Sequence, residues 1–384
     1  MRILFLVYHG FSEYSGISKK IHYQVKGLRE NGHDVRLCYY GFAENGHSCR
    51  YIDGKVLKDY GKGKWAGLRQ RIDYNCIYDY CIREKIELIY ARCFMNANPW
   101  LIHFFNIIKK AGIYAVTEIP TYPYDGEFAG ATGLQRMNLM IDKMFRKRLY
   151  HNMDALVTFS DVQEIFGQRT IRISNGVDFD SIPLHQGQCS MVNGQLHLIG
   201  VAEVHYWHGF DRLIAGLGEY YKDVRSKKVD GKDVFFHIVG GVHPNDFYLG
   251  NAFHPAFKTL IDKYNIADKV IFHGLLFGEK LTHVFNLCQF AIGSLGRHRC
   301  GISNIKTLKN REYATRGIPF IYSEQDSDFD DKPYVIKANA DDSPIDIHQI
   351  VDFVENNKFL SSEIRQSVTF LTWKRQMDCV IKEL

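Results

Sequence analysis

Short apolar runs alternate with amphipathic stretches along the whole chain. Apolar runs predict strands at Ile3–Tyr8, Asp34–Tyr40, Leu88–Ala91, Tyr114–Ile119, Ala155–Phe159 and Thr170–Ser174. Between them, helical spacing reads at about Ile17–Glu30, Asp73–Lys85, Pro99–Ala111 and Gln135–His151. A polar, turn-rich stretch from Asp178 to Gln195 follows, with Pro183, Gly187 and Gly194. The same rhythm then restarts. Strands are expected at Leu196–Val201, Val234–Val239, Val270–His273, Phe290–Ser294 and Pro319–Tyr322, with helices at Asp211–Tyr221, Pro255–Tyr264 and Lys280–Asn286. Two closing helices are expected near Asp346–Asn356 and Ser361–Leu384. Alternation of this kind predicts an α/β fold with parallel sheets covered on both faces. The polar break divides it into a first domain at 1–180, a linker at 181–195 and a second domain at 196–360. Two doubly wound, Rossmann-like domains imply a central cleft where their strand ends face each other.

Composition narrows the class. A chain of 384 residues has room for about two cores. A net charge of +5 is too mild and too dispersed for a nucleic-acid binder. The nine cysteines show neither CxxC nor metal-ligand spacing and read as reduced thiols, which points to a cytoplasmic protein. The run MRILFLVYHG is expected to be a first buried strand rather than a signal peptide. No apolar run reaches the roughly 18 residues needed to span a bilayer. No GxGxxG follows the first strand, which disfavours a lone dinucleotide-binding dehydrogenase.

The most telling segment is TLKNREYATRGIPFI, Thr307 to Ile321. A helix carries Lys309 and Glu312 one turn apart, breaks at Gly317 and runs into an apolar strand. In an open α/β domain, ligands sit at strand carboxyl ends and helix N-termini. A cation and a carboxylate on one helix face there suit a ligand with phosphates and vicinal hydroxyls, such as a sugar nucleotide.

The run EYATRGIPFI resembles the donor-binding signature of GT-B glycosyltransferases of family 4. The resemblance continues, in order, through Gly16, Gly32-His33-Asp34-Val35, Ser174-Asn175-Gly176-Val177-Asp178 and Trp207-His208-Gly209-Phe210-Asp211-Arg212. The string WHGFDRLI, with the later Leu308-Lys309 and Arg311-Glu312-Tyr313, also resembles a subgroup of capsule and surface-polysaccharide transferases. The resemblance implies that Glu312 holds the ribose hydroxyls and that the Trp373 segment, within 361–384, crosses back onto the first domain.

The chain departs from the family pattern at several positions. Asn304 stands where a second glutamate touches the donor hexose, and an amide cannot be an anionic acceptor. Glu203 and His208 stand where an arginine and a lysine grip the diphosphate. The missing positive charge is then expected from Lys309 and from Gly296-Arg297-His298-Arg299-Cys300-Gly301, whose arginines could fork onto phosphate oxygens. The donor set becomes Gly16, Gly209, Gly240, Leu276, Arg297, Arg299, Asn304, Ile305, Lys309 and Glu312. Catalytic roles fall to Glu118, His208 and Lys309, with Glu118 where the family has a histidine contacting the donor sugar.

In the first domain, the loop Glu118 to Asp125 ends a strand, and Thr121, Tyr122, Tyr124 and Asp125 suit a polar sugar acceptor. Asp326-Ser327-Asp328 and Asp328-Phe329-Asp330 are formal DxD patterns, but they follow the last strand, the wrong context for a metal site. No metal or cofactor is expected. Two basic segments, Arg136 to Arg148 with its methionines and Lys55 to Trp65, would bring the first domain onto the anionic inner face of a membrane. The expectation is a retaining, metal-independent hexosyltransferase that uses a nucleotide sugar, a glycan or lipid-linked acceptor, and no nucleic acid. The alternatives are a non-catalytic two-domain sugar-binding protein and a GT-B-shaped sugar-nucleotide epimerase.

Overall fold

The computed structural model describes residues 1–11, 16–92, 95–125, 132–187, 189–226, 231–242 and 256–384. Two compact units divide the chain. The first holds Met1–Gly176 with Leu371–Leu384, the second Val177–Phe370.

The first unit contains β1 (Arg2–Val7), α1 (Gly16–Glu30), β2 (Asp34–Phe42), β3 (Ser48–Ile52), β4 (Lys55–Asp59), α2 (Lys64–Ile72), α3 (Asn75–Arg83), β5 (Leu88–Arg92), α4 (Pro99–Lys110), β6 (Tyr114–Ile119), α5 (Gly133–Tyr150), β7 (Ala155–Thr158), β8 (Glu164–Ile165) and β9 (Gln168–Arg172). Its sheet is ordered β4-β3-β2-β1-β5-β6-β7-β9-β8. β1 pairs in parallel with both β2 and β5, so the winding direction reverses beside it. Alternate residues of β1 serve opposite faces, as strand geometry requires. Ile3, Phe5 and Val7 pack with Ile21, Val25, Trp373 and Met377, while Leu4 and Leu6 pack with Ile77, Leu101 and Phe104.

The second unit contains β10 (Gln195–Val201), α6 (Phe210–Arg225), β11 (Asp233–Val239), α7 (Phe257–Tyr264), β12 (Val270–Gly274), α8 (Gly278–Leu287), β13 (Phe290–Ile292), α9 (Leu308–Arg316), β14 (Phe320–Tyr322), β15 (Val335–Lys337), α10 (Ile347–Asn356) and α11 (Ser361–Ser367). Its sheet, β12-β11-β10-β13-β14-β15, pairs in parallel throughout. Here the winding reverses between β10 and β13, and the carboxyl ends of those two strands define the crevice where such sheets take ligands.

The structure departs from the sequence expectations in local ways. The basic segment Lys55 to Trp65 is partly β4 and the start of α2, and β3–β4 is a hairpin of mixed polarity that apolar runs alone do not reveal. The helix expected over Ser361–Leu384 is two: α11 stays with the second unit, and α12 (Trp373–Lys382) packs on α1 in the first.

Candidate functional site: a basic crevice in the second unit

The site forms where the loops after β10 and β13 meet. The first loop ends in a single 3-10 turn, Tyr206–His208, and enters α6 through Gly209 at φ 68°. A Cβ at Gly209 would lie 2.6 Å from the Leu295 carbonyl carbon, so only glycine allows the two backbones this close. The loops are stitched together by the Leu295 N–H donating to the His208 carbonyl at 3.1 Å. Arg212 donates to the Leu295 carbonyl, and Arg299 donates to that of Tyr206.

Tyr313 on α9 fixes the floor. Its hydroxyl accepts from the Val201 N–H at 3.1 Å and donates to the Ile292 carbonyl at 3.1 Å, tying together the ends of β10 and β13. α9 is thereby held with its first turn at the crevice, and Lys309 lies four residues before Tyr313 on the same helix face.

Lys309 is the unusual residue. Part of its stem reaches solvent, but its Nζ is buried and has no hydrogen-bond partner among the described residues. It lies 5.2 Å from the centroid of the Phe210 ring. Burial, reinforced by the Arg297 charge, pushes its ammonium down to about 7. His208 is buried too, and its pKa falls well below the ordinary histidine value through burial and then through Lys309 and Arg297. Its Nδ1 accepts from the His205 N–H at 3.0 Å, so the neutral ring carries its proton on Nε2. Three groups that can only donate, or donate outward, thus converge: the Lys309 ammonium, the Arg297 guanidinium and His208 Nε2–H. Glu324, the carboxylate whose charge acts on Lys309, is already engaged by the His298 N–H at 2.9 Å and the Ser323 hydroxyl at 2.8 Å. An isolated buried cation is costly. An anion entering this crevice would relieve that cost.

The other expected donor residues occupy separate elements. Glu312 lies on the next turn of α9, about a third exposed, and accepts from Arg316 at 2.9 Å. Asn304 forms a bridge with Gln325, and Ile305 is buried with its N–H donating to the Gln325 carbonyl at 2.7 Å. Gly240 ends β11 at φ 128°, where a Cβ would overlap the Ala202 carbonyl oxygen at 1.7 Å. Leu276 follows β12, half-buried. Gly16 opens α1 in the first unit, and Glu13 to Ser15 before it lie outside the described residues.

Several expectations need correction. Arg299 is not available to a ligand phosphate. It makes a bidentate pair with Asp211 at 2.9 and 2.8 Å and reaches Asp342 at 2.7 Å, with a side chain only 3% exposed. It holds the loop together. Glu118 is not a group that can touch a sugar either. Its carboxylate is fully buried between Lys20 at 3.0 Å and Arg92 at 3.2 Å, and accepts from Gln24 at 2.5 Å and Tyr90 at 2.8 Å. Tyr124 offers no open ring face: it is 1% exposed, with its hydroxyl donating to Asp142 at 2.6 Å. Asp125 pairs with Arg146 at 2.8 Å and Lys143 at 3.3 Å. Of the expected acceptor loop, Thr121 and Tyr122 remain half-exposed, Tyr122 packing edge-on against Phe166.

The aspartates of the DxD patterns are likewise occupied. Arg311 is fully buried, pairs bidentately with Asp326 at 2.6 and 2.8 Å and also reaches Asp328. Asp330 accepts from Tyr322 and Lys337, each at 2.6 Å. The residues sequence reasoning missed are Tyr313, Asp211 and Glu324. Only contact across the fold shows that they position the site.

No protein-family model and no curated protein matches this sequence. Solved structures do match its fold. A sucrose-phosphate synthase from Thermosynechococcus elongatus superposes with a TM-score of 0.63 at 13% identity, covering 100% of this chain and 99% of that one. The catalytic domain of starch synthase IV from Arabidopsis thaliana, bound to ADP and acarbose, gives 0.57 at 10% identity over 99% and 97%. An α,α-trehalose-phosphate synthase (UDP-forming) from Burkholderia xenovorans, in complex with glucose-6-phosphate, gives 0.54 at 9% identity over 100% and 99%. The fold is GT-B, that of glycosyltransferases built from two Rossmann-like domains.

Proposed function

We propose that this chain is a retaining glycosyltransferase resembling family 4, which moves a hexosyl unit from a nucleoside-diphosphate sugar to a glycan or lipid-linked glycan acceptor. The surface-polysaccharide role follows the sequence resemblance. The observation that carries the reading is the buried Lys309 ammonium, without a hydrogen-bond partner among the described residues, beside Arg297 and the Nε2–H of His208, at the switch point of a GT-B unit.

In this reading the donor's diphosphate lies against Lys309, Arg297 and His208, and Glu312 accepts from the ribose hydroxyls. The bond between the anomeric carbon and the β-phosphate oxygen breaks, and the acceptor hydroxyl oxygen bonds to that carbon. Its proton passes to the departing phosphate oxygen, so no protein base is needed. The protein's contribution is positioning and stabilisation of charge on the leaving group. The transfer is proposed to be metal-independent, because the DxD carboxylates are engaged by Arg311, Tyr322 and Lys337 and the neutralising charge comes from lysine and arginine.

The acceptor side belongs to the first unit. α5 exposes Leu134, Met137, Met140 and Met144 beside Arg136, Lys147 and Arg148, and α2 exposes Trp65 next to Lys64. An apolar ridge flanked by cations suits an anionic membrane carrying a lipid-linked acceptor. No helix among the described residues is long and apolar enough to cross a membrane.

The test is a panel of nucleotide sugars with and without glycan acceptors, run in excess EDTA. Transfer that needs the acceptor and survives chelation is expected. Donor isomerisation without acceptor would make it an epimerase, and binding without turnover a sugar-binding protein. Activity restored only by magnesium or manganese would overturn the metal-independent scheme.

A further inference from the structure

The first unit contains a cavity of about 710 Å³ that the donor chemistry does not use. β4 runs in the same direction as β2, since both are antiparallel to β3, so Asp59 and Tyr60 leave the sheet at its carboxyl edge. α4 begins at that edge as well, after β5. The cavity therefore lies on the carboxyl-edge side of the sheet, and its size lies within the roughly 300–1,000 Å³ of small-molecule sites.

Its floor is aromatic. Tyr74 and Phe104 are buried and stacked at 5.2 Å between centroids, 26° apart. At the rim Trp100 is 54% exposed and has no ring partner among the described residues. An exposed indole over an aromatic floor suits the apolar face of a sugar ring.

The lining carries two bases, Lys58 and Arg69, and two acids, Asp59 and Asp73, which differ in how they are engaged. Asp59 is turned to the His47 ring at 2.8 Å and to the Gly61 N–H at 2.7 Å, and Asp73 caps the Asn75 N–H at 3.1 Å. The cavity's bases have no such work. Lys58 and Arg69 form no ion pair or side-chain hydrogen bond among the described residues, although Arg69 stands four residues before Asp73. The acids are spoken for and the bases are open.

We infer that this cavity binds an anionic saccharide, a sugar ring bearing a carboxylate or a phosphate, with the ring against Trp100 and the anion between Lys58 and Arg69. Naming that saccharide the acceptor rests on the transferase reading; the anion preference does not.

The test is ligand-observed NMR on the full chain with glucuronate, glucose 6-phosphate and glucose as probes. A saturating nucleoside diphosphate keeps the crevice around Lys309 occupied. At least one anionic probe is expected to bind about tenfold or more tighter than glucose, and the tighter of the two identifies the anion. Lys58→Ala with Arg69→Ala should remove that preference, and Trp100→Ala should weaken whichever probe binds. All three side chains are exposed, so the variants should fold, and unchanged nucleotide affinity in them checks this. Equal binding of glucose and both anions, or an anion preference that survives the double substitution, overturns the inference and leaves the transferase reading intact. Failure of every nucleoside diphosphate to bind wild type counts against the transferase reading, while the sugar titrations, run without it, still decide the cavity.

Discussion

Replacing Lys309 by methionine should raise stability and lower ligand affinity at once. Methionine keeps the length of the stem but removes the ammonium buried against Phe210 without a hydrogen-bond partner among the described residues. Its pKa, pushed from 10.5 to about 7, corresponds to about 5 kcal/mol of disfavoured charge at about 1.4 kcal/mol per pH unit. Allowing for the half-exposed stem, a gain of about 2–4 kcal/mol near neutral pH is expected. The pH dependence gives a second reading. Between about pH 7 and 10.5 the unfolded chain holds the lysine proton and the native one does not, so wild-type stability rises with pH across that window. That rise should disappear in Lys309→Met. Affinity should move the other way. Losing a charge-assisted hydrogen bond costs about 1.5–3 kcal/mol, or roughly tenfold to a hundredfold in the dissociation constant. Urea unfolding gives the first quantity, and calorimetric titration with the tightest-binding of UDP, GDP and ADP gives the second. A variant that is less stable, or that binds the diphosphate as well as wild type, refutes the reasoning.

Three further outcomes are expected. Glu312→Gln, which leaves Arg316 an acceptor, should weaken nucleoside-diphosphate binding about tenfold with little change in melting temperature; unchanged affinity removes the ribose assignment. Arg299→Ala should cost about 3–5 kcal/mol in urea unfolding, because it strands the buried Asp211 carboxylate, and a variant of normal stability that only loses nucleotide would return Arg299 to the donor site. Acid should destabilise the second unit through His237, which burial and the flanking His197 and His273 hold at about 4: below the ordinary histidine value of 6.5 the unfolded chain binds the extra proton, so about 2 kcal/mol is lost by about pH 5, and a flat urea midpoint from about pH 7 to 5 excludes it.

The parts of this fold that the sequence announces are those with local causes. α9 is legible because Lys309, Glu312 and Gly317 state a helix face and its end within one short segment, and Gly317 does adopt the left-handed stop at φ 79°. The central strands of both sheets are buried on both faces and so read as continuous apolar runs. The β3–β4 hairpin and the short β15 are not, being short or of mixed polarity. The site residues divide in the same way. Arg297 and Arg299 are indistinguishable in sequence, two residues apart in a glycine-bounded loop. What separates them is Asp211, far back in the chain on the first turn of α6. Glu118 likewise looked like a strand-end carboxylate open to solvent. Its partners Lys20 and Arg92 come from α1 and β5, and only the packed sheet brings three charged groups into one buried cluster. An aromatic residue in a proline-containing loop, as Tyr124 is, gives no sign in sequence of the buried Asp142 that its hydroxyl meets.

The central claim is that a neutralisable buried lysine receives the donor's diphosphate, and proton linkage tests it most directly. Calorimetric titration of the nucleoside diphosphate at about pH 8, in two buffers of different ionisation enthalpy, counts the protons taken up on binding. With Lys309 held near 7 when free and returned to full charge by the anion, wild type should take up close to one proton, and Lys309→Met none. Binding without proton uptake in the wild type, or equal uptake in the variant, would contradict the account.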